Sequence, residues 1–185
     1  GTYQSVIDMY NFTNASADKV MTNTANTSIY VAKYNLQQEL AYRFKISGNL
    51  NDIHPKLIIA NNNIFISALS NSFPVSFYNA DDTIIDTNNL LSNGQYTGLI
   101  ANYSILGELQ WRCRITGINS DQTPLYIVYD DISNVIYVTG VYKAKLVCYD
   151  SSDVVNGGLE KPVTQSVFLA QYNLTGSLNW VTKIT

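Results

Sequence analysis

The chain has 185 residues, 46% of them hydrophobic and 14% charged, with a formal net charge of −3. That apolar fraction supports a packed core and excludes a disordered chain, while the net acidity argues against a general nucleic-acid binder. No run of 18 apolar residues occurs, so no transmembrane helix and no membrane insertion are expected.

Read from the N-terminus, the first element ends in Met9-Tyr10-Asn11. A strand follows in which Tyr30, Ala32 and Tyr34 share one face, then a hairpin-sized turn at Gln37-Gln38. The next strand puts Leu40, Tyr42, Phe44 and Ile46 on one face and Ala41, Arg43 and Lys45 on the other. A second hairpin runs from Leu57-Ile58-Ile59-Ala60 through Asn61-Asn62-Asn63 to Ile64-Phe65-Ile66. The order then starts again with Phe77-Tyr78-Asn79, a strand carrying Leu99, Ala101 and Tyr103, a turn at Leu106-Gly107 and a strand through Leu109-Gln110-Trp111. Its second hairpin joins Leu125-Tyr126-Ile127-Val128 to Val135-Ile136-Tyr137-Val138-Thr139-Gly140. A third round opens with Cys148-Tyr149-Asp150 and ends after Phe168-Leu169-Ala170, Thr175-Gly176 and Leu178-Asn179-Trp180. Apolar residues alternate with a period of two, which argues for strands, and Ile, Val, Thr and Tyr suit them. No window reads as a strong amphipathic helix.

The Ala-x-Tyr runs begin at Val31, Ile100 and Leu169, 69 residues apart both times, and the match continues without a gap to Ile46, Ile115 and Ile184. A fixed period of this size marks a supersecondary unit that buries its apolar faces on its neighbours. The expected fold is all-β: β-propeller blades with a repeat of about 69 residues and about five strands each, two full units and a partial third, at roughly 5–73, 74–144 and 145–185 of a single segment. A β-sandwich with look-alike halves fits the gapless spacing less well.

These residues resemble the bacterial and viral β-propeller family known as SBBP repeats. The resemblance rests on Val31-Ala32-Lys33-Tyr34-Asn35, Leu169-Ala170-Gln171-Tyr172-Asn173, the two Leu-x-Trp runs and Asn134-Val135-Ile136-Tyr137-Val138-Thr139-Gly140. Phe77-Tyr78-Asn79-Ala80-Asp81 is similar to a connector of longer versions, found in large DNA viruses among others. Two departures stand out: Asp82 replaces the connector's usual Gly, and the first unit has Tyr42 where the others have Trp. The resemblance implies a propeller and no shared catalytic residues.

Two and a half units do not close a ring by ordinary geometry. The expectation is therefore a piece of a longer or processed polypeptide, which the initial Gly favours, or self-association of copies.

The candidate residues each carry two readings. Arg43, Lys45, Arg112, Arg114 and Lys183 occupy equivalent positions on the polar face of the Leu-x-aromatic strands. They form either a repeated basic stripe for sulfated glycans or another acidic partner, or a solvated blade face with long stems over apolar surface. His54, the sole histidine, reads as a solvated loop residue before Pro55, since no nucleophile motif accompanies it. Asp81-Asp82, Asp130-Asp131, Asp150 and Asp153 read as turn caps more readily than as a Ca²⁺ site, because no EF-hand spacing is present. Cys113 and Cys148 fall at different repeat positions, which argues for buried free thiols over a repeat-encoded bridge or zinc site. Of the sequons at Asn11, Asn14, Asn26, Asn102 and Asn173, the last two fall within or at the end of strands and make poor acceptors. Tyr34, Tyr103 and Tyr172 read as core residues before they read as a sugar-stacking platform.

No cofactor or metal motif emerges. The functional expectation is a non-enzymatic structural or interaction protein, a propeller scaffold presenting loops to a protein partner, extracellular or on a virion. The alternative is a carbohydrate-binding module, with glycans as partners.

Overall fold

The computed structural model describes residues 1–10, 19–22, 26–88, 96–118 and 125–184, and every regular element among them is a strand. In chain order these are β1 (Thr2–Tyr3), β2 (Val6–Met9), β3 (Lys19–Thr22), β4 (Ser28–Tyr34), β5 (Leu40–Gly48), β6 (Asp52–Ala60), β7 (Asn63–Ser70) and β8 (Val75–Tyr78). They continue with β9 (Ile84–Asn88), β10 (Thr97–Ser104), β11 (Leu109–Ile118), β12 (Tyr126–Asp130), β13 (Val135–Tyr149), β14 (Val155–Leu159), β15 (Ser166–Asn173) and β16 (Leu178–Ile184). The all-β expectation holds. The sequons at Asn11 and Asn14 lie outside the described residues.

Each hairpin contributes to the sheet of the following unit. β6 and β7 do not pair with β4 and β5; β7 runs antiparallel to β10 across its whole length, from Asn63↔Ser104 to Ser70↔Thr97. The first half of β13 pairs with β12 and β15, and its second half with β11 and β14. Three blade-like layers result: β1-β4-β5-β8-β9, then β6-β7-β10-β11-β13-β14, then β12-β13-β15-β16. Because β13 runs unbroken for 15 residues, the second and third layers share one nine-stranded sheet. In the first unit the corresponding stretch is divided into β7 and β8 by residues 71–74, and the layers separate there. The hairpin β2–β3 stands alone as a two-stranded sheet.

Turn chemistry follows the sequence. Asn61 and Asn62 both take positive φ (49° and 58°), the pattern of a tight two-residue hairpin whose twist matches its strands. Gly107 and Gly176 take φ of 84° and 82° at equivalent turns, and Gln38 adopts the same hand (63°) where the first unit has no Gly.

Apolar side chains from facing sheets form the core. Phe44, Ile46, Phe77 and Tyr103 pack with Ile64 and Ile66 of β7, and the Phe44 and Tyr103 rings stack at 3.9 Å. Phe65, Cys113, Cys148, Phe168 and Tyr172 anchor the larger cluster. Tyr103 and Tyr172 are fully buried, whereas Tyr34 is 44% exposed. The difference is in the pairing: β10 is flanked along its length by β7, while β1 covers β4 only at Ser28 and Ile29. Cys113 and Cys148 are free and buried, and burial pushes the Cys148 thiol up to about 12. His54 lies exposed within β6, at the bulge between Ile53 and Lys56, and not in a loop. As an edge strand β6 tolerates Pro55, which has no ladder donor to lose.

Asp52 is a buried carboxylate between layers. It accepts hydrogen bonds from the Ser70 hydroxyl at 2.5 Å and the Gly48 amide at 2.8 Å, yet desolvation prevails and lifts its pKa from 3.8 to about 6. The folded state therefore favours the protonated acid more than the unfolded chain does. The resulting stabilisation is complete below about pH 4 and is lost as pH rises through about 6. Urea midpoints should fall between those values, and Asp52→Asn should flatten that segment of the profile.

Candidate functional site

The strand face carrying the basic residues is covered, chiefly by the element that opens the following unit. Arg43 is only 7% exposed and meets Asp82 through two contacts, Nη1 to Oδ1 at 2.5 Å and Nη2 to Oδ2 at 2.6 Å. Arg112, 9% exposed, donates from Nε to Asp86 at 2.7 Å and lies 2.6 Å from Asp153 through Nη1. Arg114 sits 3.6 Å from Asp153 and 4.0 Å over the Tyr149 ring. Lys45 donates to the Thr22 carbonyl at 3.1 Å and lies over Tyr78. Lys183, on β16, is exposed. Four of the five residues are thus engaged within the protein, in neither a free anion stripe nor a fully solvated face. From the sequence, Asp82 and Asp153 read as turn caps and not as partners of these cations. Asp82 and Asp153 stand at matching places after β8 and β13, each with positive φ (68° and 62°). That geometry accounts for a Gly being usual at Asp82.

A second repeated device joins the layers. The Tyr42 hydroxyl donates to the Ile105 carbonyl at 2.9 Å, and the Trp111 indole donates to the Leu174 carbonyl at 2.7 Å, one repeat later. Gly107 lies against the Tyr42 ring and Gly176 against the Trp111 ring. Ala80 and Ser151 amides bond the Gly107 and Gly176 carbonyls at 3.0 and 3.1 Å. Three further acids cap turns: Asp81 accepts from the Thr83 amide, Asp130 from Ile132 and Asp150 from Ser152 and Val154. Asn173 accepts from the Thr175 and Ser177 amides, while Asn26 is exposed.

A cleft of about 640 Å³ opens on the second layer beside these seams. Asn102, Trp111 and Arg112 of β10 and β11, Asp86 of β9, and Ser151 and Thr175 from the third unit line it. Asn102 is 4% exposed, and its Oδ1 is buried without a hydrogen-bond partner.

Hairpin turns sit side by side in pairs along the rim: the turn after β6 lies beside that after β10, because Asn63 pairs with Ser104, and the turn after β12 beside that after β15, because Val135 pairs with Asn173. Leu106 and Ile132 on these turns, and Leu36 on the β4–β5 turn, are 66%, 93% and 98% exposed.

No family model matches the chain, and no solved structure matches it. The chain is similar to an uncharacterized WD repeat-containing protein of Acanthamoeba polyphaga mimivirus, with 28% identity over 182 residues. The match takes in 87% of this chain and 13% of that protein. A WD repeat relative fits a β-propeller-like architecture, as the blade-like layers do; the specific SBBP assignment has no match behind it.

Proposed function

We propose that this propeller-type segment is a non-catalytic scaffold that presents its hairpin rim to a protein partner, on a virion or otherwise outside the cell. The observation that carries this reading is the rim itself. Leu36, Leu106 and Ile132 expose large apolar side chains on tight turns held by the buried layers behind them. Surface apolar groups concentrated on well-positioned loops suit a protein interface. The non-catalytic reading draws on the same geometry: turn carboxylates are occupied by their own backbone, and His54 stands exposed on an edge strand. The viral relative supports the virion setting.

Photo-crosslinkers placed at Leu106 and Ile132, with His54 as the control site, test this on particles or native material. Adducts to one polypeptide from the rim alone are expected. Equal labelling from His54, or no adduct from the rim, would remove the interface.

A further inference from the structure

Two vacancies in the repeat match each other. In the first unit β5 carries an outer hairpin, β8–β9, bonded through Ile46↔Phe77, Ser47↔Ser76 and Gly48↔Val75. In the second, the latter half of β13 with β14 takes the same place on β11, with Ile115 opposite Cys148. β16 is the third strand of this kind, and it ends the nine-stranded sheet with no described strand on its outer edge. β2–β3 is the third hairpin of this kind, since Met9-Tyr10-Asn11 corresponds to Phe77-Tyr78-Asn79 and Cys148-Tyr149-Asp150. It pairs with no other described strand. One strand lacks a hairpin, and one hairpin lacks a strand.

Side chains repeat the mismatch. Lys45 lies over the Tyr78 ring at 4.5 Å and Arg114 over the Tyr149 ring at 4.0 Å, so each joint carries a cation on an aromatic face. The equivalents are Lys183 and Tyr10, and both are exposed. Ile46 and Ile115 are 1% and 0% exposed beside Phe77 and Cys148, but Ile184 is 48% exposed. An unpaired strand edge is a template for another chain, and a lone two-stranded hairpin gains stability from a third strand. Within one copy the two halves belong to different layers. Met9 and Met21 pack against Tyr30, Ala32 and Leu40 of the first layer, whereas β16 lies in the third.

We propose that the β2–β3 hairpin of one copy pairs antiparallel with β16 of a second copy, with Met9 opposite Ile184 and Tyr10 under Lys183. The register is that of Ile46↔Phe77 and Ile115↔Cys148. Such a contact is heterologous, so copies join head to tail, into a ring where the rotation closes and into open chains where it does not. This interface is separate from the hairpin rim.

Sedimentation velocity and paired cysteine variants of the full chain test it. The parent should gain mass with rising concentration. Lys183→Ala should weaken association about two- to fivefold, by loss of the ring contact. Tyr10→Cys mixed with Lys183→Cys should form a disulfide-linked dimer under mild oxidation, and neither variant should do so alone; the native thiols are buried and do not compete. Both substituted positions are exposed, so the variants should fold. Tyr10→Cys mixed with Leu106→Cys is the control and should not link. A monomer at every concentration, association unchanged in Lys183→Ala, no mixed link, or equal linkage in the Leu106 control would overturn the proposal. Rim crosslinking to a different polypeptide is independent of these results, so a failure here leaves the scaffold reading standing.

Discussion

Replacing Asp82 with alanine should destabilise the protein by about 3–4 kcal/mol, and replacing it with glycine by only about 1–2 kcal/mol. The reason is that two effects meet at one residue. Arg43 has a side chain 8% exposed and is held by both Asp82 oxygens. Removing one partner of a buried pair typically costs about 3–5 kcal/mol, because the other charge is left desolvated. The Asp82 side chain is 49% exposed, so water reaches the guanidinium more easily and the lower end, about 2–3 kcal/mol, applies here. Asp82 also holds φ at 68°, where an alanine suffers by about 1 kcal/mol and a glycine is relieved by a similar amount. Urea denaturation of the two variants reads the difference directly. Arg43→Met combined with Asp82→Gly should recover most of the loss, since no stranded charge remains. If Asp82→Ala and Asp82→Gly unfold at the same midpoint, the backbone argument fails; if neither shifts it, the pair contributes nothing.

The second large effect is expected at Gly176. Its φ of 82° costs an alanine about 1–2 kcal/mol. An added Cβ would also stand 2.9 Å from both the Ser151 Cβ and the Trp111 ring, inside any normal contact. Overpacking of this kind typically costs about 1–3 kcal/mol, so Gly176→Ala should lose about 2–5 kcal/mol in total. The loss should come with a change in Trp111 fluorescence, because the turn, the indole and the Leu174 carbonyl are fixed together. Gly107→Ala should behave alike, with Ala80 and Tyr42 in the corresponding roles. A silent Gly176→Ala would mean that the turn adjusts freely and that the seam does not hold the layers in place.

What could be read from residues alone follows from the range of each interaction. Strand alternation and the 69-residue spacing are local or periodic, so the strands, the turns at Gly107 and Gly176 and the all-β class were legible. Strand partnership is not local: nothing within Leu57–Ser67 says that β7 lies beside β10 rather than β4. The polar face of β5 and β11 was legible as polar, but its covering was not, since Asp82 is 39 residues from Arg43 and Asp86 is 26 from Arg112. The recurrence of Arg43 and Arg112 together with Asp82 and Asp153 was the available signal. Asn102 was visible as a sequon within a strand, but its burial required β7 on one side and β11 on the other. His54 before Pro55 suggested a loop because its bulge depends on the partner strand.

The unbroken β13 has a consequence for how the molecule opens. A strand whose amides serve two layers ties those layers into one cooperative unit, because releasing either half strips hydrogen bonds from the same backbone. The first layer has no such tie: between β7 and β8 the chain crosses at residues 71–74, and the five-stranded and nine-stranded sheets share no strand, being joined by side-chain packing and by isolated contacts such as Tyr42–Ile105, Ala80–Gly107 and Arg112–Asp86. Amide exchange should therefore resolve two domains of protection where the repeat shows three units. The slower would span β6, β7 and β10 to β16, and the faster would be confined to β4, β5, β8 and β9.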